Sequence, residues 1–145
     1  MTENPSRLVP SDCPPSGTFE AIYQALDASS RPLIGTAEPR LLVIAIQDDN
    51  GSVRGGLWGW TRFEWLHIQM LFVPEPLRDQ GVGSALMASA EAEARRRGCR
   101  GALVDAFSFQ APRFYETIGF TRFGVLQDFP PGHNRHYFFK RINHS

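Results

Sequence analysis

An arginine and two glycines stand at a close spacing between an apolar run and a helical pattern. The segment reads Leu71-Phe-Val-Pro-Glu-Pro-Leu-Arg78-Asp-Gln-Gly81-Val-Gly83-Ser84. A strand that passes through a glycine-rich turn into a helix presents free backbone N–H groups and the positive end of the helix dipole to an anion. Residues 78–84 are therefore predicted to bind a phosphate-bearing ligand.

Two common phosphate-binding motifs do not fit this segment. The nucleoside-triphosphate loop requires a lysine after its second glycine, and no lysine follows these glycines. The dinucleotide fingerprint requires a third glycine, but Leu86 stands at that position after Gly81 and Gly83.

A second motif, a tyrosine and a glutamate shortly before Gly119 and Phe120, follows later in the chain. The two motifs resemble those of the Gcn5-related N-acetyltransferases, and they read Arg78-x-x-Gly81-x-Gly83 and Phe114-Tyr115-Glu116-Thr-Ile-Gly119-Phe120. The resemblance implies an N-acetyltransferase, an acyltransferase that uses acetyl-coenzyme A and a small-molecule or peptide amine. A catalytically weak coenzyme A sensor or interaction module of the same fold is the alternative, and a nucleotide-phosphate binder is another.

The resemblance also implies which residues contact the coenzyme. In the family the third strand diverges from its parallel neighbour, so its backbone groups pair with the coenzyme arm, while the loop holds the pyrophosphate. The implied contacts are Leu71, Phe72, Val73, Arg78, Asp79, Gln80, Gly81, Val82, Gly83, Ser84 and Ser108. Ser108 departs from the family pattern, which has asparagine there. Pro74 lacks an N–H group, which fits a strand that stops pairing at this point.

Transfer of an acetyl group to an amine needs a base and an acid, because a lysine-like amine with a pKa of about 10.4 arrives protonated at neutral pH. Tyr115 matches the family tyrosine that protonates the departing thiolate, although such a tyrosine also packs helix on sheet. His67 aligns with a glutamate that is the base in some relatives, and alternation places Gln69 on the same strand face. Glu64 and Asp105 are further candidate bases.

The cysteines and histidines do not predict a metal site, a redox site or a cysteine nucleophile. Cys13 and Cys99 form no metal or redox motif, and Cys99 is expected at the end of its strand away from the ligand. Direct transfer in a ternary complex follows, without an acetyl-enzyme. His133, Arg135 and His136 offer no third metal ligand, so no metal is expected. They form either a polar lip near the substrate or a solvated turn.

Hydrophobic periodicity predicts the elements that position these residues. A first helix carries the stripe Phe19, Ile22, Tyr23 and Leu26, with Ser16 or Thr18 as its cap, and a loop follows over 28–39. The return strand 53–60 carries Trp58 and Trp60, for which core packing is expected and the wall of an apolar or cationic acceptor pocket is the alternative. Strands are predicted at 7–9, 41–46, 53–60, 65–73, 101–107, 120–126 and 136–142, and further helices at 83–97 and 110–118.

This order predicts an α/β fold like that of the N-acetyltransferases: a mixed, mostly antiparallel central sheet with a parallel βαβ crossover and flanking helices. Strand 65–73 is apolar at nearly every position, which suits a strand covered on both faces. Helix 83–97 is expected to turn Glu91 and the cluster 95–97 outward. One domain, residues 1–145, is expected, with an irregular segment at 1–16.

Composition and charge indicate which partners and which cellular location to expect. Fifteen basic and fifteen acidic residues give a net charge of zero, which argues against nucleic-acid or membrane partners. The first residues lack the pattern of a secretory signal, and free thiols fit a cytoplasmic protein. The acceptor amine is not identified, and a homodimer is left open.

Overall fold

The structure is a computed structural model that describes residues 8–142. Its Cα positions group into two compact units, one that ends at Thr36 and one that begins at Ala37. The elements are α1 (Thr18–Ile34), β1 (Arg40–Gln47), β2 (Val53–Arg62), β3 (Trp65–Phe72), α2 (Val82–Arg96), β4 (Gly101–Phe107), α3 (Arg113–Thr117), β5 (Thr121–Gln127) and β6 (Asn134–Arg141).

Helix α1, in the first unit, is longer than the sequence predicts. It continues through Pro32 to Ile34, so the predicted loop over 28–39 is wrong in its first half. Pro32 lies in the last turn, where its missing N–H group removes only one backbone bond. An ion pair between Arg31 and Asp27, 2.9 Å long and one turn apart, supports the helix just before the proline.

The start of the first unit also differs from the prediction. The N-cap of α1 is Gly17, with φ of 87°, and no side chain caps the helix, so Ser16 and Thr18 were the wrong choices. Residues 8 and 9 of the predicted strand 7–9 form no strand, and its first residue, Arg7, lies outside the described residues.

In the second unit six strands form one sheet in the order β1-β2-β3-β4-β6-β5. Neighbouring strands are antiparallel except for β3 and β4, which are parallel and joined through α2. This arrangement confirms the predicted mixed sheet with one parallel crossover. A two-residue turn joins β2 to β3, and both of its residues, Phe63 and Glu64, have positive φ, as type I′ hairpin turns require.

The core fills the space between the sheet and α2. Leu66 and Ile68 of β3 are fully buried with Ala102 of β4, and Ala90 and Ala94 present the packed face of α2. Small alanine side chains let the helix approach the strands closely, which fixes where the N-terminal end of α2 lies.

The sheet face that carries Trp58 and Trp60 is less buried than the sequence predicts. Trp58 is 39% exposed, so core packing was the wrong expectation for this residue. Trp60 is half-buried and lies opposite His67 in the register of β2 and β3. Trp65 covers Gly101 on the neighbouring strand, and the guanidinium of Arg141 lies 5.4 Å from its ring.

Helix α2 buries one carboxylate that was expected to face solvent. Glu91 is buried and accepts hydrogen bonds from Nζ of Lys140 at 3.0 and 3.1 Å. Lys140 also donates to the carbonyl of Ile118 at 2.9 Å. The prediction of an outward Glu91 is therefore wrong, because a lysine on β6 compensates the buried charge.

The arginines at the end of α2 have different surroundings. Arg95 and Arg96 are exposed as predicted, but the Arg97 side chain is only 13% exposed. Its Nη1 donates to the carbonyl of Arg40 and to Oγ1 of Thr61, so the helix end is tied to β1 and β2. The helix then stops at Gly98 with φ of 84°.

Helix α3 is shorter than the predicted 110–118. Ala111 has a positive φ of 52°, which interrupts helical geometry just before Pro112. The Gln110 side chain accepts a hydrogen bond from the backbone N–H of Phe107 and so closes the turn after β4. Only Arg113–Thr117 are helical.

Candidate active site

Strands β3 and β4 diverge near the middle of the sheet. They pair from Trp65 beside Gly101 to Ile68 beside Val104, whereas β3 continues to Phe72. Among residues 8–142 no strand pairs with the edge of β3 beyond Ile68 on this side. The divergence implied by the family resemblance is therefore present, and it leaves backbone N–H and C=O groups free for a ligand.

The second half of β3 is open to solvent, contrary to the expectation of a strand covered on both faces. Met70 is 56% exposed and Phe72 is 53% exposed. The register with β2 shifts between Trp58 and Gly59, so Gln69 is an extra residue on β3. This irregularity interrupts the alternation of side chains, and the argument that placed His67 and Gln69 on one face by simple counting does not hold.

The loop between β3 and α2 has the geometry of an anion site. Gly81 is the N-cap of α2 in a left-handed conformation, with φ of 79°. The helix ladder starts when the N–H of Ala85 bonds to the carbonyl of Gly81, so the N–H groups of Val82, Gly83 and Ser84 precede that ladder. They are the donors that an anion at this helix end would use.

Two side chains, those of Arg78 and Gln80, form hydrogen bonds to backbone carbonyls that precede them in the loop. Nε of Arg78 donates to the carbonyl of Val73 at 2.9 Å, and its guanidinium lies 5.5 Å from the centre of the Phe72 ring. Nε2 of Gln80 donates to the carbonyl of Pro76 at 2.9 Å. Both side chains therefore stabilise the conformation of the loop, and the backbone N–H groups are the donors that face a ligand.

Close packing explains the second glycine of the motif. A Cβ atom on Gly83 would come within 3.3 Å of the Phe114 ring, which is tighter than ordinary contact. Glycine therefore allows α2 to begin beside α3, so the two sequence motifs meet in space.

A cavity of about 910 Å³ lies between the diverging strands, the loop and α3. We call it the cleft. It is lined by Gln69, Met70, Leu71, Phe72, Val73, Leu77, Arg78, Asp79, Gly81, Val82, Gly83, Ser84, Val104, Asp105, Phe109, Gln110, Ala111, Phe114 and Tyr115. Most of the predicted coenzyme contacts are in this set. Two predicted coenzyme contacts, Gln80 and Ser108, are not in it, and neither is His67, the predicted base.

Tyr115 joins the cleft to the core. It is buried and packs against Phe138 and Phe120, with ring centres 5.5 and 5.9 Å away. Burial, with a smaller contribution from the charge of Asp105, raises the pKa of Tyr115 to about 12. The hydroxyl therefore stays protonated at neutral pH and keeps a proton that it can donate in a hydrogen bond.

His67 lies beside the cleft rather than in its lining. Its ring stacks on Trp60 with centres 4.4 Å apart and planes 12° apart. Burial lowers the pKa of His67 below its ordinary value of 6.5, and the charge of Asp105 partly opposes that effect. The imidazole is thus neutral at pH 7, as a base must be.

Asp105, which the sequence analysis gave only as a further candidate base, lies in the cleft itself. It lines the cleft from β4, and its Oδ2 accepts a hydrogen bond from Nε of Arg135 at 2.7 Å. The only signal in the sequence was one carboxylate inside the apolar strand 101–107. Its partner is distant in sequence, so the pair was not predicted.

Three further polar candidates lie at this end of the sheet: Ser108, His133 and His136. One of them contacts a cleft residue, and the other two contact the fold around it. Oγ of Ser108 accepts from the N–H of Asn134 at 3.1 Å, which ties the end of β4 to β6. His133 packs edge-on against Phe109, a cleft residue. His136 is instead buried beside Arg122, so it does not belong to a lip.

Two other candidates lie at the opposite end of β3 and β4. Cys99 is 1% exposed, precedes β4, and its thiol pKa is raised by burial. Glu64 pairs with Arg100 at 2.6 Å in the turn before β3. Neither lines the cleft, and Cys99 is poorly suited to be a nucleophile because only the thiolate attacks.

Within residues 8–142 no group of three or more His, Cys, Asp or Glu side chains is placed to hold a metal ion. No helix in the same part of the chain is both long and apolar enough to cross a membrane.

The sequence profile of the Acetyltransferase (GNAT) family matches residues 10–120 of this chain. The diverging strands, the glycine loop and the tyrosine helix are thus explained together: the chain belongs to the GNAT acetyltransferase family.

Individual relatives agree with the family and the fold. An acetyltransferase of Agrobacterium fabrum is 42% identical over 135 residues, which cover 93% of this chain and 98% of that protein. A blasticidin-S acetyltransferase of Streptomyces morookaense is 40% identical over 95 residues, or 65% of this chain and 70% of that protein. The crystal structure of a Bacillus cereus acetyltransferase has a TM-score of 0.80 at 32% identity, covering 92% of this chain and 98% of that one.

Proposed function

We propose that this protein is an N-acetyltransferase that moves the acetyl group of acetyl-coenzyme A to an amine of a small molecule or peptide. The observation that supports this most strongly is one cleft that joins the unpaired edge of β3, the loop 78–84 and Tyr115. Coenzyme A suits this cleft because it carries an extended amide-bearing arm for the strand edge and an anionic end for the loop.

Each end of the coenzyme has a matching backbone surface in this proposal. The pyrophosphate accepts hydrogen bonds from the N–H groups of Val82, Gly83 and Ser84. The pantetheine arm lies along Leu71 and Phe72 and pairs with the free edge of β3 as an added strand would. Polarisation of the thioester carbonyl then falls to backbone N–H groups of the same strand.

The acceptor amine must lose a proton before it attacks. We assign that proton to His67, taken through water because the imidazole lies beside the cleft rather than in it. Its depressed pKa keeps the ring neutral at pH 7, although the same depression makes it a weaker base.

Tyr115 is assigned to the departing sulfur. With a pKa of about 12 it is a weaker acid than a thiol, whose ordinary pKa is about 8.5, so complete proton transfer to the thiolate is uphill. The hydroxyl is therefore better suited to stabilise the thiolate through a hydrogen bond, with the final proton supplied from solvent or from the acceptor.

We infer direct transfer in a ternary complex. The position of Cys99, buried outside the cleft, supports a route without a cysteine acetyl-enzyme. The blasticidin-S relative supports a small-molecule acceptor. A cytoplasmic location and a homodimer stay predictions.

A thiol-release assay over a panel of primary amines, with product masses, tests this function. We expect coenzyme A release that depends on the amine and a product heavier by one acetyl group. Coenzyme binding without turnover on any amine would instead support the sensor, an alternative favoured by one observation, the position of His67 outside the cleft lining.

A further inference from the structure

Asp105 lines the cleft at the point where β3 and β4 diverge. The cleft lining contains two carboxylates, Asp79 and Asp105. Asp79 belongs to the phosphate-binding loop, whereas Asp105 lies on β4 one residue beyond Val104, where the parallel pairing with β3 ends. An acceptor that reaches the thioester between the strands therefore meets the charge of Asp105.

The register of the sheet places Asp105 near both proposed catalytic side chains. Leu103 is the partner of His67 in the parallel pair, and Asp105, two residues on, shares its face. Asp105 also lines the cleft with Tyr115, and its charge acts on the pKa of both Tyr115 and His67. The carboxylate is thus close to where the nucleophile and the leaving group meet.

Arg135 orients this carboxylate. Its Nε binds Oδ2 at 2.7 Å, and Oδ1 has no hydrogen-bond partner among residues 8–142. The Arg135 guanidinium is itself held by aromatic rings, lying 5.3 Å from Phe107 and 5.0 Å from Phe129. The second carboxylate oxygen is therefore available to accept a charge-assisted hydrogen bond from an ammonium group.

An aromatic wall adjoins the ion pair. Phe109 lines the cleft, is 58% exposed, and lies 5.3 Å from the Phe107 ring, which also contacts Arg135. An exposed ring near a carboxylate is a combination that binds organic ammonium groups through charge and cation–π attraction.

We propose that Asp105 binds the attacking nitrogen of the acceptor, with Phe109 as its aromatic wall and Arg135 as the positioning residue, and so selects cationic amines. The inference rests on the proposed function. Oδ1 attracts the ammonium, which loses one proton through water to His67 and so gains the lone pair that attacks the acetyl carbon. The nitrogen becomes positive again as the N–C bond forms, and Oδ1 then accepts an N–H hydrogen bond from it. The C–S bond breaks, and the second proton lost by the nitrogen is taken up by the departing thiolate, directly or through solvent, which releases coenzyme A.

The first test measures binding, so it does not depend on turnover. Benzylammonium and its neutral analogue benzyl alcohol are titrated by NMR into the protein, with and without coenzyme A, for wild type, Asp105→Asn and Glu64→Gln. We expect Asp105→Asn to weaken benzylammonium roughly 10- to 100-fold, as loss of a charged hydrogen bond does, and to leave benzyl alcohol unchanged. Glu64→Gln, which removes a carboxylate paired with an arginine outside the cleft, should change neither affinity.

Asp105→Glu keeps the charge and should preserve the preference for benzylammonium. If Asp105→Asn does not fold, the wild-type comparison decides: equal affinity for the ammonium and the alcohol would overturn the inference. Equal benzylammonium affinity in wild type and a folded Asp105→Asn would overturn it as well. Failure to bind coenzyme A, measured separately by calorimetry, would instead count against the proposed function.

Discussion

Ile68 lies beside Val104 at the last paired position of two parallel strands, and beyond this point the strands separate. We call this point of separation the fork. Ile68 and Val104 are both buried in the core, whereas the strand segments beyond them are not paired with each other. The unpaired arm of β3 leads directly into the glycine loop. The separation of β3 from β4 therefore leaves a free strand edge for a ligand, and the same strand leads into the loop that begins α2.

The left-handed conformation of Gly81 should matter for coenzyme binding. Gly81→Ala places a side chain in open space but at φ of 79°, which costs roughly 1 to 2 kcal/mol for an L-residue. We expect the loop to relax away from its binding shape and the acetyl-coenzyme A Kd to rise about tenfold, measured by calorimetry.

Gly51→Ala is the matched control for this substitution. Gly51 has φ of 80°, is also surrounded by open space, and lies in the β1–β2 hairpin turn. Both variants should lose similar free energies of unfolding, but only Gly81→Ala should bind the coenzyme less tightly. Equal Kd values in the two variants would show that the conformation at Gly81 is not needed for binding.

Tyr115→Phe should separate chemistry from binding. The ring keeps its packing against Phe120 and Phe138, so the melting temperature should change little. Loss of one hydroxyl donor to the departing sulfur should lower kcat about 100-fold, while calorimetry should give the same acetyl-coenzyme A Kd. Wild-type turnover in this variant would remove Tyr115 from the mechanism.

The pH dependence of the reaction should report His67. Its pKa in the folded protein lies below 6.5, so the base becomes protonated, and the rate falls, only as pH drops through that lower value. The acid limb of kcat/KM in the wild type should therefore have its midpoint below 6.5. His67→Gln should lose this limb, whereas a variant with the same limb would clear His67 of the role.

The buried pair of Glu91 and Lys140 should stabilise the fold without affecting catalysis. Glu91→Leu alone leaves Lys140, whose side chain is 26% exposed, without its anion, and should cost roughly 2 to 4 kcal/mol of unfolding free energy. The double variant Glu91→Leu/Lys140→Met should recover most of that loss in urea titrations. Additive losses in the double variant would contradict a coupled pair.

The parts of the site predicted from sequence are those fixed by the backbone. Gly81 and Gly83 were found because a loop that presents N–H groups needs glycine at set spacings, and Tyr115 was found through its own short motif. Neighbouring residues along the chain carry both signals, so the sequence displays them directly.

The parts that sequence analysis missed depend on partners far apart in the chain. The pairing of Asp105 with Arg135 depends on how β6 lies beside β4, and the pairing of Glu91 with Lys140 depends on how β6 lies relative to α2. The extra residue at Gln69 in β3 is defined only by its register with β2. The expected loop after residue 28 failed for another reason, since one proline in a last turn costs a helix little.

A crystal structure with acetyl-coenzyme A tests the central claim most directly. We expect density for the pyrophosphate within hydrogen-bond distance of the N–H groups of Val82, Gly83 and Ser84, and for the pantetheine arm along the free edge of β3. Density for the coenzyme outside the fork formed by Ile68 and Val104 would contradict the account.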